Sequence, residues 1–224
     1  GGNHYGVSQA LSLGDAGFFL AIKIISESNF PDKEKMQAMM CFSETMLDTA
    51  MGEILDVEKG DALTTAKLKT AKYSVSGPLV LGAILGGEDP ASPKLRGIKK
   101  FGENLGIAFQ IQDDILGVFG SEKEVGKSVT ADIEEGKNTL LYNHALQKSN
   151  QEQRQKLDTY YGRGSQGSGE IREVFIETGA LNYAKDRAVK YKNNAIKVIP
   201  DITKDIKMSK ILEQLAESLI ERNK

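Results

Sequence analysis

Apolar residues at 36, 39, 40, 46, 47, 50, 51, 54 and 55 repeat with the i, i+3, i+4, i+7 spacing of an amphipathic helix, which predicts a helix from Met36 to Leu55. Pro31-Asp32 is a plausible start signal for it. A second periodic run, Leu63 to Leu85, carries Leu68, Ala71, Val75, Leu79 and Ala83 on one face. Pro78 should kink or break that run, and Gly86-Gly87 marks its end. A third helix should begin after Pro93, run through Phe101, Leu105, Ala108, Ile111, Ile115 and Leu116, and stop near Gly117 to Gly120. The glycine-punctuated, charged stretch Gly120 to Asn138 reads as a structured loop.

Helical spacing resumes at Thr139–Lys148 and Glu152–Tyr160, then again at Glu170–Glu177, Tyr183–Ile199 and Lys207–Arg222. Between them, the run Gly162 to Gly169 has the composition of a mobile surface connector. Near the start, Val7–Ile25 forms an apolar helix. Alternating strand patterns and hairpin dipeptides are scarce, so the fold class is all-α, in one domain over residues 1–224.

Composition narrows the function. With 29 Lys+Arg against 31 Asp+Glu, no basic field exists to attract nucleic acid. The single Cys41, set among Met39, Met40 and Phe42, forms no internal disulfide and reads as a small buried hydrophobe, so a reducing cytoplasm is the expected compartment. The first residues lack a basic segment followed by an apolar one, and no uninterrupted apolar run approaches the roughly 18 residues of a membrane span. Stable membrane insertion is therefore not expected. One cysteine and two histidines, His4 and His144, leave little material for a nucleophilic triad or a zinc site.

The informative segment is FQIQDDILGVFG, Phe109 to Gly120. On a helix, Gln110, Asp113, Asp114 and Gly117 form one stripe, flanked by apolar residues that should pack deeply. Two adjacent carboxylates facing inward lose hydration and repel each other, at a cost of several kcal/mol per ion unless compensated. The compensator is either a lysine such as Lys69 or Lys137, in a buried salt bridge, or a metal. Oxygen ligands without histidine or cysteine suit Mg²⁺, which takes one or two carboxylates together with water and phosphate oxygens. Lys127 and Lys137 flank the loop after the aspartates, and Lys69 lies beside Thr70 on another helix. Lysines near a carboxylate–metal site point to a phosphate-bearing ligand.

At this point the chain resembles the trans-isoprenyl diphosphate synthases, the family of farnesyl and geranylgeranyl diphosphate synthases. FQIQDDILG resembles that family's second aspartate-rich motif, FQxxDDxxD, in the DDxxG form of archaeal-type short-chain members. Lys69-Thr70-Ala71 resembles its KTA segment, Gly52 to Asp56 its GQxxD stretch with Glu53 in place of glutamine, and GKSVTADIEEGKNTLL its GKPxxxDxxEGKxTL run. Gly14-Asp15 matches the GD that follows the first motif's loop. The motifs stand in the expected order over nearly the whole chain.

The resemblance implies an isoprenoid synthase helical bundle and a Mg²⁺-dependent condensation of isopentenyl diphosphate with an allylic prenyl diphosphate. It implies that Asp113 and Asp114 hold Mg²⁺, that Lys69, Lys127 and Lys137 grip the allylic diphosphate, and that Thr70 adds a hydroxyl. Phe109 and Gln110 would line the site. The family's first motif, DDxxD followed by RRG, does not occur in these 224 residues. The expectation is that the N-terminal helices of the bundle are missing from this chain. The protein would then act as a homodimer, or as a heteromer with a chain that carries DDxxD. A non-catalytic or regulatory subunit is the alternative. A terpene cyclase is disfavoured, because Gly117 does not fit an (N/D)DxxSxxxE motif. Phe18 and Phe19 would either floor the growing-chain pocket or belong to a core or dimer interface.

Overall fold

The computed structural model describes residues 2–120, 130–164 and 166–220, and all regular structure among them is helical. Helix α1 spans Gly2–Glu27 and α2 Asp32–Val57. A composite helix follows: α3 (Ala62–Thr65), a π-helical segment (Ala66–Ser76) and α4 (Gly77–Leu85). Helix α5 spans Pro93–Phe119, α6 Ala131–Glu134, α7 Leu140–Lys148 and α8 Gln151–Tyr160. The last four are α9 (Ser168–Glu177), α10 (Ala180–Lys197), α11 (Ile199–Ile202) and α12 (Ile206–Ile220).

The helix starts follow from side chains that accept the otherwise unpaired first-turn N–H groups. Asp61 accepts from Thr64 N at 2.8 Å, Ser92 from Leu95 N at 3.0 Å with Pro93 in the first turn, and Thr139 from Tyr142 N at 3.2 Å. Asn150 and Gln153 close a reciprocal capping box on α8, with bonds of 2.9 and 3.0 Å.

Helix α5 is the central element and packs against the π segment, α4, α7, α10, α11 and α12. Its C-terminal half buries Ile111, Ile115 and Val118 with Leu141, Ile171, Val174, Phe175 and Ala184. Its middle buries Phe101 and Leu105 with Ala195, Val198, Ile199 and Ala216. The π segment lies between α2 and α5, and glycines let the backbones meet. A Cβ on Gly52 of α2 would lie 2.4 Å from Lys69 N, and one on Gly106 of α5 would lie 2.4 Å from Ala71 Cα.

Of the kink or break expected at Pro78, the break does not occur, and the helix instead changes from π to α turns there. The π turns end where Gly77 N–H bonds to Lys72 O, and α geometry restarts with Pro78 in its first turn, where a missing N–H costs nothing. The Gly162–Gly169 run is also more than a loose connector. Gly162 N–H donates to Ile133 O at 2.8 Å, and a Cβ on Gly136 (φ +65°) would approach Gly162 Cα to 2.8 Å. Cys41 is only half-buried. It lines a cleft of about 310 Å³ between α2, α4 and the start of α5, and burial pushes its thiol pKa up.

Helix α1 packs mainly on α2, with Ile25 near its end joining the cluster of Ala38, Ile84 and Leu95, and it is exposed along nearly its whole length. Phe18 (49% exposed) and Phe19 (73%) belong to no core, so the core alternative is ruled out for this chain on its own. By length and composition His4–Glu27 is apolar enough to cross a membrane, with mean hydropathy 1.3 and none of that window buried. The sequence reading missed this because glycine, serine and alanine interrupt the apolar run while charges are nearly absent.

Candidate diphosphate and metal site

Three helical stretches and a turn bring most of the predicted residues to one cavity of about 240 Å³, lined by Asp56, Lys69, Thr70, Gln110, Asp113, Asp114 and Lys137, among others. The end of α2 supplies Asp56 and the π segment supplies Lys69 and Thr70. Helix α5 supplies Gln110 and both aspartates, and the turn after α6 supplies Lys137.

A hydrogen-bonded chain crosses the floor. Thr70 Oγ1 donates to Gln110 Oε1 at 2.5 Å, and Gln110 Nε2 donates to Asp114 Oδ1 at 2.8 Å. Lys69 Nζ lies 2.7 Å from Asp56 Oδ2 and 2.9 Å from Glu53 Oε2. Burial alone would lower its pKa, but the hydrogen bonds and charges of Asp56 and Glu53 outweigh burial and raise it. Lys137 is paired with Asp132. Burial again acts to lower its pKa, and Asp132, Asp114 and Glu135 together raise it. Both cavity lysines are therefore held charged at neutral pH.

The two lysines answer the question left open by the helix pattern. Each takes a carboxylate other than the adjacent pair, and no ion pair to Asp113 or Asp114 occurs among the described residues. Asp114 is part-buried and lines the cavity. Its pKa is pushed up to about 7 by burial first and by the charges of Asp132 and Asp113, against the opposing Gln110 bond and Lys137 charge. A carboxyl so poorly compensated fits a site completed by a cation.

Among the described residues no group of three or more histidine, cysteine, aspartate or glutamate side chains is arranged to hold a metal alone. Two oxygen ligands, with the other positions left to water and substrate oxygens, is the donor set Mg²⁺ accepts.

Gln110 thus sits in the site. Phe109 is half-buried and is not among the residues lining the cavity, because the neighbouring position on a helix faces about 100° away. Lys127 lies outside the described residues. Glu53, Asp56 and Asp132 went unassigned in the sequence. Each stands inside a motif already recognised, Glu53 and Asp56 in the GQxxD-like stretch and Asp132 in the GK…GK run, so the signal was present without a partner to explain it. Behind Lys137, Tyr161 donates its hydroxyl to Lys137 O at 2.5 Å and stacks on Tyr142 with ring centroids 4.2 Å apart.

The polyprenyl synthetase family model matches residues 2–178, from α1 through the whole cavity. The chain belongs to that family. The match begins in α1, so this exposed apolar helix is an element of the family fold. Members of the family are prenyltransferases, and this chain takes its place in that enzyme class.

The chain is 30% identical over 233 residues to the geranylfarnesyl diphosphate synthase of Aeropyrum pernix, covering 98% of this chain and 72% of that protein. It is equally 30% identical over 234 residues to the geranylgeranyl diphosphate synthase of Sulfolobus acidocaldarius, covering 98% and 70%. Equal similarity to enzymes named for different products places the chain among prenyl diphosphate synthases without choosing a chain length. Among solved structures, the geranylgeranyl pyrophosphate synthase of Corynebacterium glutamicum complexed with isoprenyl diphosphate and magnesium superposes with a TM-score of 0.90 at 27% identity. That match covers 98% of this chain and 64% of the other.

Proposed function

We propose that the protein condenses isopentenyl diphosphate with an allylic prenyl diphosphate to give a short-chain prenyl diphosphate through Mg²⁺-assisted ionisation. The observation that carries this reading is the one cavity shared by two charged lysines, a threonine hydroxyl and two carboxylates with which no lysine or arginine among the described residues forms an ion pair. A diphosphate with a divalent cation matches that arrangement of charge. The magnesium in the Corynebacterium relative supports it.

In this reading the allylic C–O bond breaks and its electron pair leaves with the diphosphate. The isopentenyl double bond attacks the allylic carbon, and a proton is lost to the released diphosphate. Mg²⁺ held by Asp113 and Asp114 would supply Lewis-acid stabilisation of the leaving group. Lys69 and Lys137 add fixed positive charge where negative charge develops, which accelerates the step because the donors need no rearrangement. The Thr70 hydroxyl donates its proton to Gln110 and fixes that side chain. Gln110 in turn orients Asp114 through its amide.

The alternative reading is a non-catalytic or regulatory subunit of a heteromeric synthase. The exposed apolar surface of α1 and α2, including Leu13, Phe19, Leu47 and Met51, supports an assembly, as a homodimer or a heteromer with a DDxxD chain. A cytoplasmic location is part of the proposal.

Two measurements test the reading. A Mg²⁺-dependent elongation assay on the chain alone and with co-purifying partners separates synthase from subunit: turnover only beside a DDxxD chain supports a heteromeric synthase. Asp113→Ala should abolish Mg²⁺-dependent binding of a bisphosphonate with helicity retained. Unchanged affinity in that variant sinks the metal assignment.

A further inference from the structure

We propose that Asp132 is the positioning residue for Lys137, and that glycine at position 117 makes the space that allows it. The proposal rests on the reading of Lys137 as a diphosphate-binding group. Asp132 grips Lys137 at both ends. Its carboxylate pairs with the ammonium, and its main-chain carbonyl accepts the Lys137 N–H at 3.1 Å. The Lys137 carbonyl is fixed in turn by the Tyr161 hydroxyl at 2.5 Å and by Thr139 N–H at 3.0 Å.

The aspartate side chain is 2% exposed and the lysine side chain 36%, so the pair has a buried end and an end open to the cavity. An ammonium has three N–H donors. Asp132 engages it from behind, and donors remain for a ligand oxygen in front.

The carboxylate lies directly against the backbone of α5. A Cβ on residue 117 would come within 2.3 Å of Asp132 Oδ2 and 2.8 Å of its Cγ. Any side chain at 117 would therefore push Asp132 off its seat and move Lys137 with it. The arrangement also separates two tasks. Lys137 is close enough to act electrostatically on Asp114, and after Asp132 it is Asp114 that acts most strongly on the lysine. With Asp132 holding the lysine, Asp113 and Asp114 stay open to a cation while the ammonium stays aimed at the anion.

Calorimetric titration of inorganic pyrophosphate with Mg²⁺ into the 224-residue chain, combined with a double-mutant cycle, tests this. Lys137→Gln and Asp132→Asn should each weaken binding by about tenfold, the scale of one charge-assisted hydrogen bond. Asp132→Asn should add less than about twofold in the Lys137→Gln background, since a positioning residue has nothing left to position. A merely structural aspartate would weaken binding in both backgrounds alike.

Wild-type affinity in Asp132→Asn, or losses that multiply in the double variant, overturns the proposal while leaving the diphosphate reading intact. Wild-type affinity in Lys137→Gln defeats the reading of this lysine and the proposal with it. If Asp132→Asn does not fold, Gly117→Ala displaces the same carboxylate from the other side. It should weaken pyrophosphate binding only when Lys137 is present, and an unchanged affinity for Gly117→Ala again overturns the proposal.

Discussion

Replacing Gly106 by alanine puts the central contact of the fold under load. The new methyl carbon would lie 2.4 Å from Ala71 Cα and 2.6 Å from Ala71 Cβ, where carbon atoms normally rest about 3.5–4.0 Å apart. Helix α5 and the π segment must then separate by about 1 Å. Overpacking of this kind costs about 1–3 kcal/mol, and alanine's better helix propensity returns up to about 1 kcal/mol, so a net loss of about 1–2 kcal/mol is expected.

For a chain of this size that lowers Tm by about 2–8 °C. Gly82→Ala is the control, on the exposed side of α4 with nothing within 4 Å of its added Cβ. It keeps the propensity gain alone and should raise Tm by a few degrees at most. Urea unfolding followed by far-ultraviolet circular dichroism measures both. The reasoning is wrong if Gly106→Ala is as stable as the parent, or if the two substitutions shift stability in the same direction. Because Ala71 adjoins Lys69 and Thr70, Gly106→Ala should also weaken pyrophosphate binding.

Asp114 makes stability fall with pH in the metal-free protein. Its folded pKa of about 7 exceeds the ordinary 3.8, so between those values the folded state binds more protons, and the stability from the neutral acid is lost as pH rises through about 7. Asp114→Asn should flatten that slope in chelator-treated protein, and parallel pH curves for variant and parent would refute the burial argument. Asn150→Ala removes the capping box of α8 and should cost about 1 kcal/mol without altering pyrophosphate affinity. A change in affinity there would mean that α8 is coupled to the cavity in a way its position does not explain.

Much of the bundle was legible because it rests on local chemistry. The Met36–Leu55 periodicity lies inside Asp32–Val57, and Pro93 opens the helix it was expected to open. The Gln110–Asp113–Asp114 stripe and the lysines Lys69 and Lys137 meet in one cavity, as spacing and motif order implied.

The π segment was not legible, since apolar periodicity near four residues does not distinguish α from π turns over so short a run. Its geometry is tied to Gly52 and Gly106, which lie far from it in the chain. Asp132 was passed over for a related reason. Its meaning depends on the space beside Gly117, which appears in the sequence only as a departure from a motif. The Gly162–Gly169 run has a linker's composition, and the contact that holds its first residue, Gly162, comes from Gly136 across the fold.

The meeting of Gly52 with the π segment has a consequence for how such a sequence can drift. Most packed pairs change by trade, one side chain shrinking as its neighbour grows. Here the atoms that Gly52 would strike are Lys69 N, Lys69 Cα and the Leu68 carbonyl carbon, which every amino acid possesses. Nothing on the π side can shrink to make room. Substitutions at 68 and 69 leave this contact untouched, while position 52 has no compensating partner anywhere along that strip of backbone. The two faces of this contact are thus under opposite rules: the packing leaves the side chains at 68 and 69 unconstrained, although Lys69 is held by its place in the cavity, and fixes position 52 at glycine.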